Sequence, residues 1–272
     1  MIRSPAVAFK RFPLPSSPPA WIPSDLNLQL PDATGVDPGR MHALAYLPWE
    51  DRYLDPIDPL YRQFFLQVLP YLHVRTTDVH VATCLPFAAE LLRAETEPVD
   101  ARLVHLAFIL HDCGWSQLSA SEIAASLGVT GLALTAEAAG PKVRHAELGR
   151  DLAERLLKAH PLDPPLTTEQ ERQIYQAILF HDRPQDLAAQ GDLPATLRMV
   201  CDVDHLWSFT HENFWQDTVR KRVTPEAYLQ NLGIDLQACF VGEPARRTAQ
   251  QMLAARADEV QSWQAWRNQH GA

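Results

Sequence analysis

Apolar side chains recur at helical spacing along most of the chain after residue 58. Val81, Leu85, Ala88 and Leu92 are three or four positions apart, which places them on one face of an α-helix. No stretch alternates between apolar and polar residues for long enough to require a sheet, so the predicted fold class is all-α. The polar stretch after Phe209 is predicted to be a turn. The predicted helices are Pro59–Leu72, Thr77–Leu92, Asp100–Gly114, Ser119–Leu127, Pro141–Lys158, Thr167–Asp182, Pro194–Phe209, Pro225–Leu232 and Glu243–Gln269.

Capping residues set several of these predicted helix starts. Thr77 or Asp78 is the expected N-cap of the helix that ends near residue 92, and Asp100 is the expected N-cap of the next one. Thr168 and Glu171 have the spacing of a capping box, in which each side chain satisfies a backbone amide of the first turn.

The first 58 residues form a proline-rich segment with little helical periodicity. Proline fixes φ and removes a backbone donor, so this segment is predicted to run extended. Its apolar residues, among them Trp21 and Leu28, favour an arm that packs across the domain or across a partner subunit. The chain is thus predicted to consist of an N-terminal arm (1–58), a helical domain (59–215) and C-terminal helices that pack on the body (216–272). Trp263 and Trp266 indicate a core or homo-oligomer contact there.

Composition and charge narrow the class of function. The chain has 272 residues, of which 46% are hydrophobic and 21% charged, a balance typical of a globular protein. The net charge of −9 disfavours a nucleic-acid duplex and favours a small-molecule substrate. No apolar run approaches the roughly 18 residues of a membrane span, and the N-terminus shows no apolar leader region. The cysteines form no C-x-x-C pair, which favours reduced thiols and a cytoplasmic enzyme; they are Cys84, Cys113, Cys201 and Cys239.

A His-Asp pair ends the most apolar predicted helix. His111 and Asp112 follow the run Leu-Ala-Phe-Ile-Leu and precede Cys-Gly. Burying an unpaired charge at this place is costly, and a bound divalent metal would supply the missing partner. Imidazole and carboxylate ligands suit Fe, Mn, Zn, Ni or Co. The pair therefore predicts a metal site.

Four further helices each present an ionisable residue beside an apolar stripe. His80, His145, His181 and Asp204 occupy these positions, and Asp202 competes with Asp204 for the last of them. One such coincidence is common, because a single histidine on an apolar face is usually a hydrogen-bonded core residue. Five in succession favour one shared site for one or two metal ions.

The order of these residues resembles the H…HD…D signature of the HD-domain superfamily of metal-dependent phosphohydrolases. His80, His111, Asp112 and Asp204 carry the resemblance, which covers about residues 70–210. It implies a helical bundle with the metal held by these four side chains. Family members place the last aspartate before a polar residue and leucine, which Asp204-His205-Leu206 matches better than Asp202 does.

His145 and His181 extend the resemblance to the longer H…HD…H…H…D pattern of two-metal members. The resemblance then implies that Asp112 bridges two ions. His80, His111 and Asp204 would complete one ion, and His145 and His181 would hold the other. Either of these last two histidines is alternatively a catalytic group that touches the substrate directly, since the same chemistry needs a proton donor near the leaving group.

The resemblance implies hydrolysis of a small phosphate ester, a nucleotide or another phosphorylated metabolite, by a metal-activated water. Lys142 and Arg144, near the start of a predicted helix, and Arg183 are the expected phosphate-binding residues. Three alternatives stay open: a di-iron oxygenase that cleaves a C–C or C–P bond, a metal-dependent hydratase or lyase, and a binding module without activity. Phosphate-binding glycine loops and G-x-S-x-G are absent from the sequence, which removes nucleotide-cradling and acyl-hydrolase classes.

Overall fold

The computed structural model describes residues 49–119, 122, 123, 126, 136–188, 191, 193–220 and 223–270, and contains no strand within these ranges. The predicted all-α class is confirmed. Residues 1–48 of the arm and most of the predicted helix Ser119–Leu127 lie outside the described residues, as does the side chain of Trp266. The α-helices of the described chain are α1 (Pro59–Val68), α2 (Thr77–Ala94), α3 (Ala101–Leu110), α4 (Ala136–Ala159), α5 (Thr168–Phe180), α6 (Pro184–Ala188), α7 (Ala195–Leu206), α8 (His211–Arg220), α9 (Pro225–Ala238) and α10 (Glu243–His270).

Helix α3 is the centre of the bundle. Every residue from Leu103 to Leu110 is buried, because the helix is apolar on all sides and such a helix belongs in the interior. Helices α2, α5 and α7 pack directly against it, α7 also packs against α2 and α5, and α4 packs on α5. The end of α3, where His111 and Asp112 follow, consequently lies deep within the bundle.

The predicted cap of α3 is confirmed, whereas the predicted cap of α2 is not. Asp100 caps α3 as predicted, since its carboxylate accepts hydrogen bonds from the first-turn amides. The prediction that Thr77 or Asp78 caps α2 is wrong, because the N-cap is Thr76, in the left-handed conformation and without a side-chain cap. The carboxylate of Asp78 instead lies 2.7 Å from Nδ1 of His73, which commits it to a neighbour outside the helix.

The capping box of α5 lies one residue before its predicted position. The Thr167 hydroxyl accepts from the Gln170 amide at 3.2 Å, and the Gln170 side chain accepts from the Thr167 amide at 3.0 Å. Helix α4 also starts earlier than predicted, and Pro141 lies inside it. A proline there removes one amide hydrogen bond near the start of the helix.

The largest error of the sequence prediction is α8, which was predicted as a polar turn. His211–Arg220 is a helix, and Thr210 accepts a hydrogen bond from the Asn213 amide at 3.2 Å as its cap. Apolar periodicity does not reveal this helix because its buried aromatic residues, Phe214 and Trp215, are adjacent rather than one turn apart, and the other side chains that it buries are mostly polar. The short helix α6 was not predicted, and α9 extends six residues beyond Leu232 to Ala238.

Residues 49–58 join the bundle rather than leave it. They include a 3-10 helix at Asp51–Leu54, and the side chains of Tyr53 and Ile57 are buried in the core. The predicted boundary between residues 215 and 216 falls within α8, and the division of the chain into three units stays a prediction.

The cysteine prediction is confirmed: all four thiols are free, and Cys84, Cys113 and Cys201 are buried. In the described parts of the chain, no helix combines the length and the apolar character needed to cross a bilayer.

A buried ionic network connects α8 to the C-terminal helix α10. The Glu259 carboxylate lies 2.5 Å from the Arg256 guanidinium, 3.1 Å from Nδ1 of His211, and accepts from the Trp215 indole at 2.9 Å. Arg256 also donates to the carbonyl of Phe209 at 3.1 Å. Burial raises the pKa of Glu259, but the hydrogen bond from His211 and the charge of Arg256 outweigh it and hold the pKa below its ordinary value.

We expect Glu259→Ala to lower the free energy of unfolding by about 3–5 kcal/mol, because it leaves the Arg256 charge buried without its partner. Chemical denaturation measures the loss. Since the pKa of Glu259 is lowered, its contribution is present above the ordinary carboxyl pKa of about 4.3 and disappears on acidification. The matched control is Glu243→Ala, which removes an exposed carboxylate paired with Arg246 on the same helix and should change stability by about 0–1 kcal/mol. Equal losses in the two variants would contradict the prediction.

Candidate metal centre

The structure brings together all six side chains that the sequence predicts as metal ligands. They come from five parts of the chain: the first turns of α2, the residues directly after α3, the middle of α4, the residue directly after α5, and the C-terminal half of α7. Each of the six is more than four-fifths buried as a side chain, and they are His80, His111, Asp112, His145, His181 and Asp204.

Four of these side chains, His80, His111, Asp112 and Asp204, form one group around a common point. Oδ1 of Asp204 lies 3.1 Å from Nε2 of His80 and 3.4 Å from Nε2 of His111. Oδ2 of Asp112 lies 3.5 Å from Nδ1 of His80 and 3.5 Å from Nε2 of His111. Two imidazoles and two carboxylates therefore face one another across a small gap.

The other oxygen of Asp112 belongs to a second group. Its Oδ1 lies 3.4 Å from Nε2 of His145 and 3.5 Å from Nε2 of His181, and these two nitrogens are 3.3 Å apart. Asp182, directly after His181, places a carboxylate oxygen 3.8 Å and 3.9 Å from the same nitrogens. Asp112 thus lies between two sets of imidazoles and presents one oxygen to each.

These separations match donors that share a cation. With metal–ligand bonds of about 2.0–2.1 Å, two donors at tetrahedral or octahedral angles lie about 2.8–3.4 Å apart. Nε2 of His111 is fully buried and makes no hydrogen bond within the described residues, although two carboxylate oxygens are 3.4 and 3.5 Å away. A buried nitrogen in this position is satisfied by an ion placed between it and the carboxylates. The cluster could therefore hold a metal.

Two of the imidazoles are oriented by the same local device. His111 is the C-cap of α3 and its Nδ1 lies 2.6 Å from the carbonyl of Phe108. His181 is the C-cap of α5 and its Nδ1 lies 2.8 Å from the carbonyl of Ile178. A hydrogen bond that occupies Nδ1 leaves the Nε2 lone pair to face the cluster, which is how metal-binding histidines are commonly held.

The electrostatics of the cluster favour positive charge. Burial raises the pKa of Asp112 and Asp204, but the facing histidines outweigh it and hold both values well below the ordinary range. Burial lowers the pKa of His181, yet the hydrogen bond to Asp112 and the charge of Asp182 raise it to about 9. Both carboxylates are thus ionised, and without a metal they hold protons on His80 and His181, whose pKa values they raise, whereas burial lowers the pKa of His145. A metal ion would replace those protons.

Trp115 connects the second group to its surroundings. Its indole N–H donates to Oδ1 of Asp112 at 3.0 Å, and its ring stacks on His145 with centroids 4.0 Å apart. The guanidinium of Arg75 lies 3.7 Å from the centre of the Trp115 ring. The indole therefore fixes the direction of the carboxylate and the tilt of the imidazole at once.

Gly114 makes this arrangement sterically possible. A Cβ atom there would lie 1.9 Å from the carbonyl oxygen of His145 and 2.5 Å from the backbone nitrogen of Gly149. The 3-10 helix Cys113–Gln117 consequently packs with its backbone against α4, which brings Trp115 and His145 into contact.

The structure distinguishes between the two aspartates that compete for the last ligand position. Asp204 joins the cluster, whereas the carboxylate of Asp202 accepts two backbone hydrogen bonds of 2.8 Å from Val241 and Gly242. Burial raises the pKa of Asp202 to about 6. Asp202 thus connects α7 to the segment before α10 and takes no part in the cluster.

A cavity of about 290 Å³ adjoins the cluster, and of the three expected phosphate-binding residues only Lys142 lines it. Arg144 is paired with Glu122, and Arg183 with Asp186 at 3.0 Å. Sequence reasoning did not single out several other lining residues: Arg75, Asp182, Trp207, Asn213 and Asp217.

The missed lining residues differ in the signal that the sequence offers. Asp182 repeats the His-Asp dipeptide, which could have identified it. Arg75 lines the cavity and has a left-handed backbone conformation (φ 58°). No residue pattern in the sequence predicts this conformation at an arginine. Asn213 and Asp217 belong to α8, for which the polar sequence predicts a turn, so the sequence offers no signal that these side chains face a cavity.

Comparisons with protein-family models, curated proteins and solved structures found no match. The fold and geometry show a helical protein whose buried His/Asp cluster could bind metal and is compatible with an HD-type site.

We expect Gly114→Ala to destabilise the protein by about 2 kcal/mol or more, because the added methyl group overlaps the α4 backbone and pushes the 3-10 helix away from it. Thermal unfolding measures the change. Gly233→Ala, at an open position inside α9, is the matched control and should stabilise by about 0.5–1 kcal/mol through helix propensity. If Gly114→Ala is as stable as the parent protein, the close approach described above is incorrect.

Proposed function

We propose that this chain is a metal-dependent phosphohydrolase of the HD type that acts on a small phosphate ester. The observation that carries the proposal is the position of Asp112, which directs one carboxylate oxygen to His80 and His111 and the other to His145 and His181. A carboxylate shared in this way is the expected bridge between two metal ions.

The donor set fits one or two divalent ions, since imidazole and carboxylate accept Fe, Mn, Zn, Ni and Co. In the proposal His80, His111 and Asp204 complete the first site, and His145 and His181 complete the second. When bound, the ions would activate a water molecule as the attacking nucleophile and neutralise charge that develops on the phosphoryl group.

The residues of the chain supply orientation and charge. Trp115 and the backbone carbonyls behind His111 and His181 hold the donors in place, which lowers the reorganisation needed on binding. Lys142 lines the cavity, where its ammonium group can pair with a phosphoryl oxygen. Asp182 lines the same cavity, and its carboxylate can accept a hydrogen bond from the attacking water and so direct it.

A di-iron oxygenase is the second candidate. The observation that favours it is the completeness of both donor groups around one carboxylate, because two adjacent iron ions with His and Asp ligands also suit oxygen chemistry. The cation of Lys142 in the cavity suits an anionic substrate in either case. Metal identity and the reaction products separate the two candidates.

We expect the purified protein to hold two divalent ions per chain, measured by elemental analysis without chelator. His145→Gln and His181→Gln should each reduce the content towards one ion, since they remove donors from the second group alone. His105→Gln serves as the control, because His105 is buried but bonds to the carbonyl of Ala101, away from the cluster. A protein that stays free of metal after reconstitution would falsify the proposal.

We expect release of inorganic phosphate from small phosphate monoesters in the presence of Mn, Co or Ni, and loss of at least about 10³-fold in kcat for Asp112→Asn. Lys142→Gln should raise KM about tenfold, because a charge-assisted contact to phosphate is lost. Lys158→Gln, an exposed lysine of the same helix paired with Glu154, is the control. Dioxygen consumption by an iron-loaded protein, without phosphate release, would decide for the oxygenase instead.

A further inference from the structure

Helix α8 is polar, yet it is buried. Six of its polar side chains are at most 8% exposed: His211, Glu212, Asn213, Gln216, Asp217 and Thr218. Polar and charged side chains of these types are rarely buried without partners or a ligand to bind. Some of these groups bond within the fold, and others line the cavity, where a ligand could contact them.

Part of α8 serves the fold. His211 and Trp215 bind the Glu259 carboxylate, and the Gln216 amide donates to the hydroxyl of Thr76 at 2.8 Å. These contacts attach α8 to α10 on one side and to the start of α2 on the other. These contacts fix the position of α8, and they therefore also fix the positions of Asn213 and Asp217 on it.

Asn213 is one of the buried polar side chains of α8 that have an atom without a hydrogen-bond partner in the described fold. It is 3% exposed and lines the cavity beside the metal cluster. Its Oδ1 accepts no hydrogen bond within the described residues. A buried amide oxygen without a partner is destabilising, and a ligand with a hydrogen-bond donor would satisfy it.

Asp217 is one helical turn after Asn213, so the two side chains share a face of α8. It is also buried and lines the cavity. Its Oδ2 accepts from the Tyr228 hydroxyl at 2.7 Å, and this contact holds the carboxylate in one orientation. A carboxylate and an amide oxygen, four residues apart, present a pair of acceptors to whatever fills the cavity.

The acceptors favour hydroxyl groups over an ammonium group. The same cavity is lined by two cations, Arg75 and Lys142, and by four aspartates, of which Asp112 and Asp204 belong to the metal cluster. With two divalent ions bound there, the positive charges of the lining outnumber the negative ones, and an ammonium group would be repelled. Hydroxyl groups donate to carboxylate and amide oxygens without adding charge, as in the recognition of ribose hydroxyls by an acidic residue. Trp207, which stacks on His80 with centroids 5.0 Å apart, lines the cavity too and offers an apolar face for a carbon skeleton.

We propose that Asn213 and Asp217 form a recognition site for the hydroxyl groups of the substrate's organic part. The substrate is then the phosphate ester of a polyol, a sugar or a nucleoside, with its phosphate at the metal cluster and its hydroxyls on α8. This inference rests on the proposed function, because the phosphate end of the ligand is bound by the metal site and Lys142.

The test is a binding measurement with phosphonates, whose C–P bond resists hydrolysis. The metal-loaded protein is titrated calorimetrically, in the absence of dioxygen, with 2,3-dihydroxypropylphosphonate, propylphosphonate and 3-aminopropylphosphonate. We expect the dihydroxy compound to bind about tenfold or more tightly than the propyl compound, since one hydroxyl gains a hydrogen bond to the otherwise unsatisfied Oδ1 of Asn213 and the other can donate to the Asp217 carboxylate. The amino compound should bind no more tightly than the propyl compound.

Two variants connect the preference to Asn213. Asn213→Leu removes the acceptor at similar volume, and the affinity ratio of the dihydroxy to the propyl compound should fall towards 1. Asn213→Asp keeps an oxygen at the same atom and should retain the preference, which a merely structural role of Asn213 would not produce. Gln230→Leu, at an exposed position of α9, is the control and should leave the ratio unchanged.

Equal affinities of the dihydroxy and propyl compounds for the parent protein would overturn the inference and leave the proposed function standing. Tighter binding of the amino compound would also overturn it, and would identify an ammonium site. If the metal-loaded protein binds none of the phosphonates, the phosphate-ester function fails, and this inference fails with it.

Discussion

The structure depends on one buried anion. Asp112 follows the most apolar helix of the bundle, and its charge is stable there only because imidazoles surround both of its oxygens. Those imidazoles come from α2, α3, α4 and α5, so the need to compensate one carboxylate brings four helices to a common point. The C-termini of α3 and α5 also direct their partial negative charge to this point, which further favours a bound cation.

The sequence was sufficient for the parts of the structure in which apolar residues carry the information. The all-α class, most of the helices and the Asp100 cap follow from spacing and composition, whereas the meeting of His80 with His111 was implied by the resemblance to the HD-domain superfamily. Two details that apolar spacing does not reveal depend on polar contacts of single side chains. Asp78 turns to His73 instead of capping α2, and Asp202 binds the backbone at residues 241 and 242.

Helix α8 shows the same limit on a larger scale. A helix whose buried side chains are mostly polar shows no long apolar stripe, and Glu259 on α10 and Thr76 before α2 bind two of its polar side chains. Those partners are 48 and 140 residues away from the side chains that they bind. Local pattern therefore cannot reveal either the helix or the acceptors that it presents to the cavity.

The position of Trp115 has an optical consequence. Its indole lies between the Arg75 guanidinium and the His145 imidazole, and its N–H is bonded to the bridging carboxylate. Loss or gain of positive charge on either side of the ring shifts the energy of its excited state. We therefore expect the emission of Trp115 to shift when an anion binds near Arg75, and also when a cation occupies the second donor group.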